Sequence, residues 1–392
     1  MKLFHHLLVA PAALGLLAPL TANASEINVS GITSYVDSEQ EEEFFDHKSF
    51  DNSLATSNLN KVTDKALFEA GSFSDTTVAS QTAAMMLSVM DGDETIGDEQ
   101  SVQMNYYYGM SLDTSFTGED NLNVGIETGN TRTAANTAYV TDFGSGNADL
   151  LKVVDLNYTR SFGDLTVQFG DSLDASSQFT GACAYSGFTD HLSDCGTGRT
   201  AGAGGDVTVS SVYDFGNGLT AGFGTSALEG SSSSGVFTKE GIDLWAAQVA
   251  YSADTYGLAF SYSDTEGEAT GLVSGLTEDT TTFGLSGYYI FGGPIESISV
   301  GYEAADQDTS KDSTNWFVGL ETAEVGPGSF SAGLGTTGHI TDGATETLAY
   351  EASYSWDAND STAMTIGGFI VERADSSKDD ATGVALTTTF SF

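Results

Sequence analysis

From about Thr76 to its last residue the chain repeats one unit: an alternating run of nine to sixteen residues, a short turn, a second alternating run, and a longer polar loop. A period of two sends successive side chains to opposite faces of an extended strand. In VQMNYYYGMSLDTSF, Val102, Met104, Tyr106, Tyr108, Met110, Leu112 and Phe116 oppose Gln103, Asn105, Tyr107, Ser111, Asp113 and Ser115. In ETLAYEASYSW, Leu348, Tyr350, Tyr354 and Trp356 oppose Glu351, Ser353 and Ser355. The closing GVALTTTFSF keeps the pattern to the end, with Val384, Leu386, Thr388, Phe390 and Phe392 on one face. Chain ends usually fray, so a terminal Phe that completes an apolar stripe implies an end held in an apolar surface.

The short turns are DANDS (Asp357 to Ser361), VGPG (Val325 to Gly328), GGP (Gly292 to Pro294), SADT (Ser252 to Thr255), GNG (Gly216 to Gly218), GD (Gly163, Asp164) and GEDN (Gly118 to Asn121). Each is built of residues that favour tight turns. Between consecutive turns lies one hairpin tipped by a longer loop, such as DQDTSKDS or TGHITDGATE. The count is eight hairpins, hence about sixteen strands. The expected fold is all-β, a transmembrane antiparallel β-barrel with a short N-terminal periplasmic leader. Spanning strands need about 9 to 11 residues, and closing the sheet satisfies every ladder in lipid. A soluble sandwich or solenoid would bury one face in protein and seldom crowd aromatics at strand ends.

The chain starts MKLFHHLLVAPAALGLLAPLTANAS, with Lys2, an apolar run from Leu7 to Leu20, and Ala22 and Ala24 spaced for signal-peptidase cleavage. Residues 1–24 read as a signal peptide, 25–67 as an acidic periplasmic leader and 68–392 as the barrel. The net charge of −43 excludes nucleic acid and anionic membrane surfaces as partners. Within the leader, Asn28 to Asp64 departs from the barrel pattern and reads as a solvated segment.

FEAGSFSDTTVAS (Phe68 to Ser80), TSFTGEDNLNVGIETGN (Thr114 to Asn130), GDLTVQFGDSLD (Gly163 to Asp174) and YDFGNGLTAGFGTSA (Tyr213 to Ala227) resemble the cyanobacterial outer-membrane porins, relatives of the carbohydrate-selective porin family. The resemblance runs from Phe68 to Phe392. It implies a passive channel for ions and small hydrophilic solutes in the outer membrane of a Gram-negative-type, cyanobacterial cell, embedded in outer-membrane lipid and compatible with a homotrimer. It also implies that Phe390 and Phe392 are read by the barrel-assembly machinery. Family members carry a surface-layer-homology domain and a coiled-coil segment before the barrel; about forty residues stand in that place here. Alternatives to a general diffusion porin are a solute-selective, carbohydrate-type channel and an acidic surface or adhesin protein without a pore.

No enzyme activity and no cofactor is expected. GDSL at Gly170 to Leu173 spells a hydrolase signature, but neither His191 nor His339 has an Asp three residues earlier. AGAGGD (Ala201 to Asp206) lacks the Lys of a phosphate loop. Acidic groups such as Asp306, Asp308, Asp312 and Glu278, Asp279 match no cation-loop spacing, so no metal site is assigned. Trp245, Trp316 and Trp356 fall near strand ends, as an interfacial girdle would.

If the apolar face of each strand points outward, Asp113, Glu127, Asp155, Asp214, Glu303, Glu321 and Glu351 line the pore with no basic residue assigned among them, which favours cations. Small residues at Thr208, Ser210, Gly222, Gly224, Ser261, Gly284 and Gly333 would leave room for water. The third long loop, Asp174 to about Gly204, exceeds the usual loop length. By its position among porin loops it is expected to fold inward as a constriction bearing Asp174, Asp190, Asp194 and Arg199. Cys183 and Cys195, the only cysteines, both lie in it, and export favours a disulfide over a metal pair.

Overall fold

The computed structural model describes residues 76–92, 101–130, 137–141, 143, 148–201, 204–228, 230–233, 235–239, 241–267, 278–308, 310–375 and 377–392. The expected signal peptide and leader lie outside them. Sixteen long strands form one antiparallel sheet: β1 (Thr77–Asp91), β2 (Gln103–Thr114), β3 (Asp120–Gly129), β4 (Lys152–Phe162), β5 (Leu165–Asp174), β6 (Gly204–Asp214), β7 (Leu219–Ala227), β8 (Asp243–Ser252), β9 (Tyr256–Thr265), β10 (Thr280–Ile290), β11 (Ile295–Gln307), β12 (Ser313–Thr322), β13 (Gly328–Thr336), β15 (Leu348–Asn359), β16 (Thr362–Val371) and β17 (Ala381–Ser391). The two-residue β14 (Ile340–Thr341) extends the ladder beside β12 where β13 has ended. All seven expected short turns separate consecutive strands.

The sheet closes. β17 pairs with β1 from Thr82↔Ser391 to Asp91↔Thr382. The terminal Phe392 exchanges backbone hydrogen bonds with Gln81 at 2.8 and 3.0 Å, so the ladder is satisfied to the last residue. No long strand is left with an open edge, the condition for a sheet to cross lipid.

The two faces divide as alternation requires. Met85, Leu87, Phe169, Phe223, Val249, Phe260, Leu285, Val300, Ile366 and Val384 are exposed on the outside. Aromatic pairs gather at the short-turn end of the wall: Tyr213 with Phe215 and Tyr289 with Phe291, each 4.8 Å between ring centroids, and Phe330 with Tyr354 at 4.6 Å. Toward the long-loop end Trp245 stacks on Phe237 at 5.5 Å. Rings at both ends of an apolar belt suit a barrel surface that meets lipid. No helix among the described residues is long and apolar enough to cross a membrane.

Candidate functional site: the barrel interior

The third long loop lies inside the barrel. It leaves β5 and is caught first by β6, where Ser210 Oγ donates to the Ala175 carbonyl at 2.7 Å. Thr180 then bonds Thr220 at 2.7 Å, the Ala184 N–H donates to Ser299 Oγ at 2.9 Å, and the Ser186 N–H donates to Glu321 at 2.7 Å. The far end docks on Glu351, whose carboxylate accepts from Tyr185 Oη, the Phe188 and Thr189 N–H groups and Thr189 Oγ1, at 2.5 to 2.8 Å. A helical turn, α2 (Asp190–Ser193), reverses the chain.

The return leg is received by Glu303. This carboxylate accepts from the Arg199 and Thr200 N–H groups at 3.1 and 2.7 Å, from Thr200 Oγ1 at 2.7 Å, and bonds His339 Nε2 at 2.8 Å. His339 Nδ1 in turn bonds Ser313 at 3.1 Å, and His191 Nδ1 bonds the Thr337 carbonyl at 3.0 Å. Cys183 on the outgoing leg and Cys195 on the return leg form a disulfide, with Cα atoms 6.2 Å apart. In the chain-entropy model, closing so short a loop contributes about 3 kcal/mol.

These contacts correct two sequence expectations. Glu303 and Glu351 face inward but are 0% and 5% exposed, so they hold the loop rather than face open water; Glu321 spends an oxygen on the same task. Apart from Ser261, which accepts from Gln248 Nε2 at 3.1 Å, the small inward residues make room for the loop, not for water. A β-carbon at Gly222 would strike the Phe179 ring, at Gly224 the Ala175 carbonyl, at Gly301 the Cys195 carbonyl, at Gly333 Tyr185 and at Gly284 Thr200. Thr208 and Ser210 are buried beneath the loop's start.

A second element also enters the barrel. The turn α1 (Thr137–Val140), between β3 and β4, packs on β1 and β17, and Thr141 Oγ1 lies 3.6 Å from Met86 Sδ. Val140, Tyr185, Leu192, Phe317 and Phe369 form one apolar cluster, and Phe188 joins it to Met86, Ala385 and Phe143. The interior therefore has a hydrophobic core along β12 to β17 and β1. Sequence reasoning missed it, although Phe143, Phe188 and Leu192 inside polar loops carried the signal.

The wall from β2 to β5 stays polar. Asp113 Oδ1 accepts from Asn121 and Asn123, each at 2.8 Å. Asn157 donates to Asp155 at 3.1 Å and accepts from Gln168 at 2.9 Å, and Gln168 accepts from Gln178 of the loop at 2.8 Å. Asp113, Asp155 and Gln168 are half-buried, and Glu127 on the same face is buried. Asp214 is exposed near a short turn and accepts from the Gly216 N–H. One basic residue joins this wall against expectation: the bulge at Gly125/Ile126 shifts the register and sets Lys152 opposite Glu127. Of the expected loop charges, Asp190 is exposed on α2, Asp194 and Arg199 sit on the return leg, and Asp174 ends β5. Ser172 of the GDSL stretch has φ 59° within β5, and both histidines are engaged elsewhere, as described.

No family model and no curated protein matches the chain. Solved structures do. Pseudomonas putida OprB is similar with a TM-score of 0.60 at 9% identity, over 81% of this chain and 94% of that one. The anion-selective porin from Comamonas acidovorans matches with a TM-score of 0.55 at 15% identity, over 81% and 99%. OmpT, an outer membrane protein of Vibrio cholerae solved in a trimer form, matches with a TM-score of 0.55 at 12% identity, over 81% and 100%. The fold is thus that of the sixteen-stranded porins.

Proposed function

We infer that the chain is an outer-membrane porin, a water-filled channel through which ions and small hydrophilic solutes diffuse passively, with a preference for cations. The observation that carries this reading is the pairing of a lipid-suited outer belt with an interior where, among the described residues, inserted loops pack on β6 to β17 and β1 while Asp113 and Asp155 of the polar wall from β2 to β5 stay half-buried. The water path runs beside that wall. Its half-buried carboxylates, Asp113 and Asp155, set the sign of the field, and Lys152 offsets it only in part. Charge in a narrow passage with low-dielectric walls is focused rather than screened away. The inserted loop is the constriction, and its Asp190, Asp194 and Arg199 contribute to the field there.

A solute-selective channel is the second reading. The run of amides and carboxylates from Asp113 to Gln178 would recognise a multiply hydrogen-bonding solute better than a bare ion. Residence in the outer membrane, assembly as a homotrimer, cyanobacterial origin and recognition of Phe390 and Phe392 by the assembly machinery belong to the same proposal. The purified protein in a planar lipid bilayer tests it: stepwise conductance that scales with salt is expected of a porin, whereas an adhesin without a pore would give none.

A further inference from the structure

Three polar side chains meet on the inner face where β1 pairs with β2, and each carries an oxygen with no hydrogen-bond partner among the described residues: Ser88 Oγ, Gln103 Oε1 and Asn105 Oδ1. Ser88 stands directly opposite Gln103 in the ladder, and Asn105 lies two residues further along the same face of β2. Ser88 and Asn105 are 3% and 5% exposed. The turn α1 packs on β1 and β17 beside this spot, and Thr141 touches Met86, the ladder partner of Asn105. That turn carries a further buried oxygen with no partner among the described residues, Thr137 Oγ1.

The orientation of Asn105 follows from its neighbours. Asn130 accepts the Tyr106 N–H at Oδ1, 3.0 Å away, and donates to the Met104 carbonyl through Nδ2, which sets which end is oxygen. Asn105 directs its own Nδ2 at that oxygen, 3.4 Å away, so its carbonyl oxygen points elsewhere and can only accept. An amide oxygen buried without a donor costs about 1 to 3 kcal/mol, and this small region holds several such atoms. What satisfies them must be a donor or a positive charge.

We propose that Ser88, Gln103 and Asn105, on the stretch of wall where the turn α1 packs, bind a small monovalent cation, an alkali ion or ammonium, beside the water path. Amide and hydroxyl oxygens offer full coordination without formal charge, which suits a singly charged ion; calcium sites enlist carboxylates. The site is independent of whether the barrel conducts.

Thallium, a potassium mimic with strong anomalous scattering, tests it in crystals of the whole chain. The expected result is an anomalous peak in contact with Asn105 Oδ1 and Gln103 Oε1, absent in Asn105→Leu and retained in Asn105→Asp. Thallium-soaked crystals with excess ammonium or excess potassium distinguish the two sources of charge by which of them lowers that peak. In detergent, exchanging N-methylglucamine for potassium at constant ionic strength should raise the melting midpoint by about 2 °C or more for the native protein and Asn105→Asp, but not for Asn105→Leu. Should Asn105→Leu fail to fold, the native peak and the potassium shift still decide. A site filled by water alone, by donors from residues 93–100 or 131–136, or by no peak at all would overturn the proposal.

Discussion

Glu351 shows how one residue can mislead at the level of composition. A carboxylate on the inward face of a barrel strand reads as pore charge, yet four donors from a single loop converge on it. Buried charge persists where it is hydrogen-bonded, and removing its charge leaves those donors facing an amide. Glu351→Gln should therefore release the loop's tip. Faster reduction of the Cys183–Cys195 bridge by a mild thiol, by about tenfold or more, would register the release; an unchanged rate would mean that Glu351 is dispensable for docking. His191 adds a pH dependence. Burial lowers its pKa, against the pull of the Asp190 carboxylate, so the docked loop holds a neutral ring. Its folded value lies below the unfolded value of about 6.5, so its share of loop stability is complete above that pH and declines as pH falls. The fall in bridge protection between pH 7 and 5 should be smaller in His191→Gln than in the native protein, and equal falls would exclude the ring as a source.

At the scale of elements, strands and turns were readable because period two and turn chemistry are local. The described strands keep the expected alternation except at their bulges, and every predicted short turn is present. The inward course of the third loop depends on shape matching across the barrel, which no local pattern encodes: Phe179 over Gly222, Tyr185 over Gly333, Phe188 over Gly367. Aromatic residues in a loop and glycines on distant strands are each legible, but their pairing is not. The register shift that brings Lys152 opposite Glu127 is equally invisible, because one bulge reverses the face of everything on its far side. Gly301→Val tests the shape match, since its side chain would occupy the place of the Cys195 carbonyl. The barrel should still fold, while the return leg is displaced and single-channel conductance changes. Conductance identical to the native value would show that the loop's inner course does not set the passage. The last strand carries its own test: deleting Phe392 removes both hydrogen bonds to Gln81 and should cut the yield of folded barrel severalfold, more than deleting a residue from an exposed loop.

For the whole molecule, the interior is divided rather than uniformly wet. Among the described residues, loops and hydrophobic side chains occupy the side of β12 to β17 and β1, and the proposed water path runs along the amide–carboxylate wall of β2 to β5. Selectivity on this account belongs to Asp113 and Asp155 rather than to the more numerous acids elsewhere on the chain. Screening lengths shrink from about 10 Å at 0.1 M salt to about 3 Å at 1 M, so the preference should be strongest in dilute salt. The reversal potential of native channels and of the Asp113→Asn/Asp155→Asn variant, measured across a planar bilayer under a gradient of dilute potassium chloride, tests this most directly. The predicted result is a potential favouring potassium over chloride in the native protein that moves most of the way to zero in the variant. A chloride preference in the native channel, or a potassium preference undiminished by the two substitutions, would contradict it.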